Sequence, residues 1–279
     1  MINGPSKHDL YEGVVVLIDM HVHTEYSDEF ELTLKDAVTR AREAGLNGLL
    51  LAECDVVPPL DEVKAIADEE NFPIFIGIDI DCYDGRVILV PRDPTDKRFQ
   101  TQSWADDDDD FRVVDVVRAG KKMGAIAIAA HPYLDDGGPF LGDRLTRIEG
   151  LAGVEVACGV KSFMSNDRAL EAASAMALPG VGGSDTGPEG QRLGKFATVF
   201  PEDIASQTEL VDALEEGLYW AVMLGAAEPR PRQRSGRSGG RSGGGGRGDN
   251  RGGGGGGRGD NRGGGGGRGD NRGGGGNRR

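Results

Sequence analysis

Between residue 14 and about residue 225, short apolar runs alternate with segments of helical periodicity. The runs at 14–20, 47–52, 73–80, 86–90, 125–130, 153–157, 180–183, 196–200 and 219–223 predict strands. Most are near-continuous Val, Ile, Leu or Ala, the composition of strands buried on both faces. The segment 33–44 carries Leu34, Ala37, Val38 and Ala41 on one stripe, with Thr33 placed as an N-cap and Gly45 as the stop. Residues 60–70, 111–123, 166–177 and 207–216 predict further helices in the same way. Alternation of this kind argues a parallel α/β architecture. Seven or more βα units in about 210 residues suit a closed barrel better than an open sheet.

Charge divides the chain in two. Residues 1–229 hold 19 Lys+Arg against 43 Asp+Glu, a net of −24, whereas 230–279 hold 13 Arg against 3 Asp, a net of +10. The run Asp106 to Asp110 reads as a solvated loop whose last members favour the positive end of the helix that follows. Past Pro229 the chain is mainly Arg, Gly, Ser and Asn, and Arg-Gly-Asp-Asn recurs at 247–250, 258–261 and 268–271. Such a segment has no apolar surface to bury and is expected to be disordered. Its Arg247, Arg251, Arg258, Arg262, Arg268 and Arg272, spaced among glycines, suit RNA contact by charge and guanidinium stacking. A purely solubilising tail, or one that folds back on the acidic body, are the other readings. The expected organisation is therefore an N-terminal extension over 1–13, a barrel domain over 14–228 and an Arg/Gly-rich tail over 229–279.

Three cysteines, Cys54, Cys82 and Cys158, are too few and too odd in number for a disulfide scaffold. Residues 1–13 lack the apolar core of a signal peptide, and no apolar run approaches the ~20 residues of a membrane span. The expectation is a soluble, cytoplasmic protein without a membrane partner.

Candidate chemistry lies where the apolar runs end. His21 and His23 leave the first run, and side chains two apart on a strand share a face. His131 follows the run 125–130; the chain has only four histidines. Glu53, Cys54 and Asp55 follow the second run, Asp79 and Asp81 end the third, Glu155 lies within 153–157, and Asp185 follows 180–184. One such residue is usually a cap or a turn. When nearly every strand delivers one to the same end, the groups would repel or lie unsatisfied without a cation. The mix of nitrogen and oxygen donors suits Zn²⁺, Mn²⁺ or Fe²⁺ better than Ca²⁺.

The ordered motifs His21-Val22-His23-Thr24 with Ser27-Asp28, Ala52-Glu53-Cys54-Asp55, Gly77-Ile78-Asp79-Ile80, Ala130-His131-Pro132-Tyr133, and Gly183-Ser184-Asp185 with Leu193-Gly194 resemble the polymerase-and-histidinol-phosphatase (PHP) family. The resemblance covers about residues 15–225. It implies a distorted barrel of seven βα units with up to three metals at the C-terminal ends of the strands. Members of that family include phosphomonoesterases, exonucleases and proofreading domains of DNA polymerases, and a related barrel occurs in a protein subunit of ribonuclease P. Four positions depart from its pattern. Cys54 and Gly187 stand where the family has histidines, Ile88 falls near another, and Asp79 replaces a glutamate that bridges two metals. By resemblance, one metal position keeps His21, His23, Asp79 and Asp185. The second retains Asp79 and His131, and the third little beyond Cys54, which either ligates as thiolate or packs as a small hydrophobe.

Three readings follow. In the first, the chain is a metal-dependent phosphoesterase acting on a phosphomonoester or a nucleic-acid phosphodiester. One metal is held by the four residues, His131 serves as second-metal ligand or proton donor, and Asp185 belongs to the catalytic set. Four protein ligands suit five- or six-coordinate Mn²⁺ or Fe²⁺ better than structural zinc. In the second, a degenerate barrel binds RNA as a scaffold without turnover. In the third, the metal serves stability alone.

Overall fold

The computed structural model describes residues 15–102, 111–159 and 163–225. The predicted strand residue 14, the Asp106–Asp110 run and the arginine tail lie outside them.

The strands are β1 (Val16–Val22), β2 (Gly48–Cys54), β3 (Ile74–Cys82), β4 (Gly85–Pro91), β5 (Ala125–Ala130), β6 (Gly153–Cys158), β7 (Gly180–Gly183), β8 (Phe196–Phe200) and β9 (Trp220–Met223). The helices are α1 (Leu34–Glu43), α2 (Leu60–Glu70), the four-residue α3 (Lys97–Gln100), α4 (Val113–Lys122), α5 (Phe163–Met176) and α6 (Gln207–Glu216), with a 3-10 segment at Gly142–Arg147. Helix α1 forms as its sequence requires. The Thr33 hydroxyl accepts from the Asp36 amide at 3.1 Å, the four apolar stripe residues are buried, and Gly45 takes a positive φ of 80° just past the end.

One sheet runs in the order β7-β6-β5-β4-β3-β2-β1-β8-β9. Pairs β1–β2, β2–β3, β5–β6 and β6–β7 are parallel, but β3–β4, β4–β5, β1–β8 and β8–β9 are antiparallel. The parallel architecture expected from the alternation holds for four of these eight pairs and not for the other four. Only Tyr83 and Asp84 separate β3 from β4, and a parallel crossover needs a dozen residues or more. The fold is an α/β barrel, its sheet curling almost closed. At the seam, Thr198 Oγ1 of β8 accepts from the Gly182 amide of β7 at 2.9 Å and donates to the Gly182 carbonyl at 3.1 Å. Close approach there requires glycine, because a Cβ on Gly182 would lie 2.3 Å from the Ala197 carbonyl oxygen.

The apolar interior divides into two clusters. An outer layer joins the strands to α1, α2, α4 and α5 through residues such as Leu49, Ile78, Val116 and Ala169. The inner cluster joins Ile18, Met20, Phe75, Ile88 and Ile128 to Leu210, Val211 and Leu214 of α6. Helix α6 therefore plugs one end of the barrel. Among the described residues, no helix is long and apolar enough to cross a membrane.

Candidate metal centre

At the other end of the barrel the strands deliver their polar residues. Strand β1 reaches Val22, two residues beyond the expected 14–20, so His21 lies in the strand and His23 directly after it. Met20 packs in the inner cluster and Val22 in the outer one, and the β1–β2 register slips between Asp19 and Val22. This irregularity re-aims His21 and His23 into the rim, as bulges beside sites commonly do. Their rings meet edge-on with centroids 4.8 Å apart.

The loop after β7 is stitched to β1 one residue at a time. The Ser184 amide donates to Asp19 Oδ1 at 2.8 Å, the Asp185 amide to the His21 carbonyl at 2.8 Å, and the His23 amide to Thr186 Oγ1 at 3.1 Å. Gly183 permits this contact, since a Cβ there would sit 2.4 Å from His21 Cβ. Asp185 is thus carried to the histidines at a positive φ of 43°. Asp55 and His131, each just past a strand of the same rim, also have positive φ, 51° and 24°. Backbone strain of this kind gathers at functional sites.

Four side chains converge. Asp79 Oδ2 lies 3.5 Å from His21 Nε2 and 4.0 Å from His23 Nε2, and Asp185 Oδ1 lies 3.7 Å from His23 Nε2. The donor atoms of His21, His23 and Asp185 all fall within 4.8 Å of one another. His21, His23 and Asp79 are almost wholly buried, yet His21 Nε2 and Asp79 Oδ1 have no hydrogen-bond partner among the described residues. Leaving a buried polar atom unpaired costs about 1–3 kcal/mol. Two such atoms aimed into one cluster of imidazole nitrogen and carboxylate oxygen donors are what a divalent cation would satisfy. The residues fit the metal.

Protonation agrees in part. Burial, with His21 alongside, pushes His23 down to about 3, so this imidazole is neutral, as a ligand must be. For His21, burial acts downward but Glu155 and Asp79 outweigh it and raise the ring well above its ordinary value. Asp79 and Asp185 are held below the usual carboxylate range against the effect of burial, by the imidazoles and, for Asp185, also by Arg192.

Three further groups position these residues or the loops around them. Glu155 accepts from His21 Nδ1 at 3.0 Å and from the His131 amide at 2.7 Å. This arrangement puts the His21 proton on Nδ1 and turns the Nε2 lone pair toward the cluster. Glu53 is spent on the Thr24 amide and the hydroxyls of Thr24 and Ser27, which hold the loop after β1, so it is no ligand. Arg192 Nη2 pairs with Asp185 Oδ1 at 3.0 Å. Of the remaining expected residues, His131 stacks on His21 at 5.6 Å, half-buried at the rim. Cys54 Sγ lies 3.5 Å from His23 Nδ1, its thiol pushed up to about 12 mainly by burial. Cys54, Cys82 and Cys158 form no disulfide with one another.

A family model described as PHP-associated matches residues 163–218. No curated protein matches the chain. Among solved structures, a protein described as a metal-dependent phosphoesterase from Bifidobacterium adolescentis is similar, at 19% identity and a TM-score of 0.51, over 62% of this chain and 88% of that one. An amidohydrolase from Chromobacterium violaceum, with bound sulfate and no metal, is similar at 19% identity and 0.53, over 71% and 96%. The lesion-specific endonuclease EndoQ from Pyrococcus furiosus is similar at 15% identity and 0.56, over 75% of this chain but only 58% of that one. The chain thus shares the α/β barrel fold of these structures, and its residues 163–218 match the PHP-associated family model.

Proposed function

We propose that this protein is a metal-dependent phosphoesterase that hydrolyses a phosphomonoester or a nucleic-acid phosphodiester. The observation that supports this reading is the meeting of His21, His23, Asp79 and Asp185 from three strands, with a buried imidazole nitrogen and carboxylate oxygen left unpaired. These four would hold one Mn²⁺, Fe²⁺ or Zn²⁺. Such a cation supplies Lewis-acid activation of water and of a phosphate oxygen. Glu155 holds the His21 ring, and Arg192 orients Asp185. His131, whose amide donates to Glu155, would give a proton from its ring to the leaving oxygen. The structural likeness to a phosphoesterase and to EndoQ, a nuclease also solved with a duplex substrate, agrees with a phosphate substrate.

The test is hydrolysis of p-nitrophenyl phosphate and of short 5′- and 3′-phosphorylated oligonucleotides in Mn²⁺. Activity should vanish on chelation and in His21→Ala and Asp185→Ala; activity that survives all three would end the proposal. A second component rests on the tail composition alone, in which Arg247, Arg251, Arg258, Arg262, Arg268 and Arg272 contact RNA. RNA binding should then weaken steeply with salt and disappear when residues 230–279 are removed.

A further inference from the structure

The rim offers more donors than one cation needs. Besides His21, His23 and Asp185, the donor atoms of His23, Cys54 and Asp79 lie within 4.8 Å of one another, and so do those of His21, His131 and Glu155. Not every cluster is open. Glu155 already accepts two hydrogen bonds, one of them from His21 Nδ1, so the third cluster is spent on orienting its own members. The second has a different occupant. Because β4 runs antiparallel to β3, its N-terminal end arrives at the rim and brings Arg86 with it. The guanidinium Nη1 lies 3.7 Å from Asp79 Oδ2 and Nη2 lies 3.5 Å from Asp81 Oδ2. Two strand positions deeper, Ile88 pairs with Asp79 and is wholly buried, so no donor follows Arg86 down that face.

We infer that Arg86 is the second cation of this centre: its guanidinium occupies the Asp79 side of the rim and limits the site to a single metal ion. This inference rests on the proposed metal site and deepens it. A fixed guanidinium is always charged and has no exchangeable affinity, so it neutralises Asp79 and Asp81 whatever the free metal concentration. Its side chain is 34% exposed, enough to face a phosphate bound at the metal. A lysine would keep the charge; a neutral residue would leave Asp79, Cys54 and His23 free to collect another ion.

The test is metal content after equilibrium dialysis of the full chain against excess Mn²⁺, with melting curves to confirm folding. The wild type and Arg86→Lys should hold one ion per chain, and Arg86→Ala should rise toward two. Should Arg86→Ala prove unfolded, Arg86→Met, which keeps the apolar stem, carries the same expectation. Two ions in the wild type, or one in both the wild type and the neutral variants, would overturn the role of Arg86 while leaving the metal centre standing. No metal in any of them would overturn both.

Discussion

At the end of the barrel where β3 and β5 begin, α6 lies across the opening with its polar groups paired. Gln207 uses its amide on three backbone partners, accepting from the Ile76 amide at 2.9 Å and donating to the carbonyls of Ile76 and Pro91. Tyr219 donates to the Ala152 carbonyl at 3.0 Å, and Leu210, Val211 and Leu214 are fully buried. Toward the end where β3 finishes, Asp19 and His21 of β1, Asp79 of β3 and Ser184 just past β7 each hold a buried polar atom with no hydrogen-bond partner among the described residues. One end satisfies itself. The other is built to be satisfied by something else, and the contrast separates residues that hold the fold from residues that await a ligand.

That contrast is broken hardest by Asp185→Asn. The amide keeps the size and the Arg192 contact but gives up the charge facing His23. Phosphatase activity should fall roughly a thousandfold or more, a loss of about 4 kcal/mol from transition-state stabilisation. The melting temperature of chelated protein should hardly change. Leu210→Ala, at the plugged end, should do the reverse, destabilising by about 2–5 kcal/mol through the cavity it leaves. Urea titration and a metal-binding isotherm on both variants would show it. Equal stability losses, or a metal defect in Leu210→Ala, would erase the distinction between the ends.

Chelation tests the same division on the wild type. A ligand present at a hundred times its Kd stabilises by about 2.7 kcal/mol, so removing the metal should lower the melting temperature by roughly 5–10 °C. Asp185→Asn should show little of that shift, and Leu210→Ala should retain all of it. Thermal melts with and without EDTA decide the matter.

The sequence carried much of this arrangement, unevenly. Helices α2 and α6 fall on the expected 60–70 and 207–216, because each has a clear apolar stripe between unambiguous stops. The strands were legible as buried runs, but burial on both faces says nothing of direction. The reversal at β4 could be read only from the two residues at Tyr83 and Asp84, too short a connection for a crossover. That reversal is what brings Arg86 to the rim, so the arginine escaped notice with it. His21, His23, Asp79 and Asp185 were reached by family resemblance, and their meeting is now a matter of distances. Glu155 was visible as a charge inside an apolar strand. Its task was hidden because its partner lies 134 positions away, beyond any local pattern.

Glu155 gives the smallest and sharpest test of the divided barrel. Each of its oxygens accepts from a different donor, His21 Nδ1–H and the His131 amide. Glutamine has one acceptor and one donor in the same shape, so Glu155→Gln satisfies one partner and faces the other with an N–H. If the amide oxygen turns to His131, His21 must give up its Nδ1 proton and carry it on Nε2, the atom needed by the metal. Metal affinity should then fall about 10- to 100-fold, as it does when outer partners of ligands are lost. If the oxygen turns to His21, affinity should survive, while the unpaired His131 amide costs about 1–3 kcal/mol of stability. A competitive Mn²⁺ titration beside a urea melt distinguishes these outcomes. A variant unchanged in both would mean that Glu155 orients neither residue, and that the rim is less firmly prepared for a cation than its buried, unpaired atoms imply.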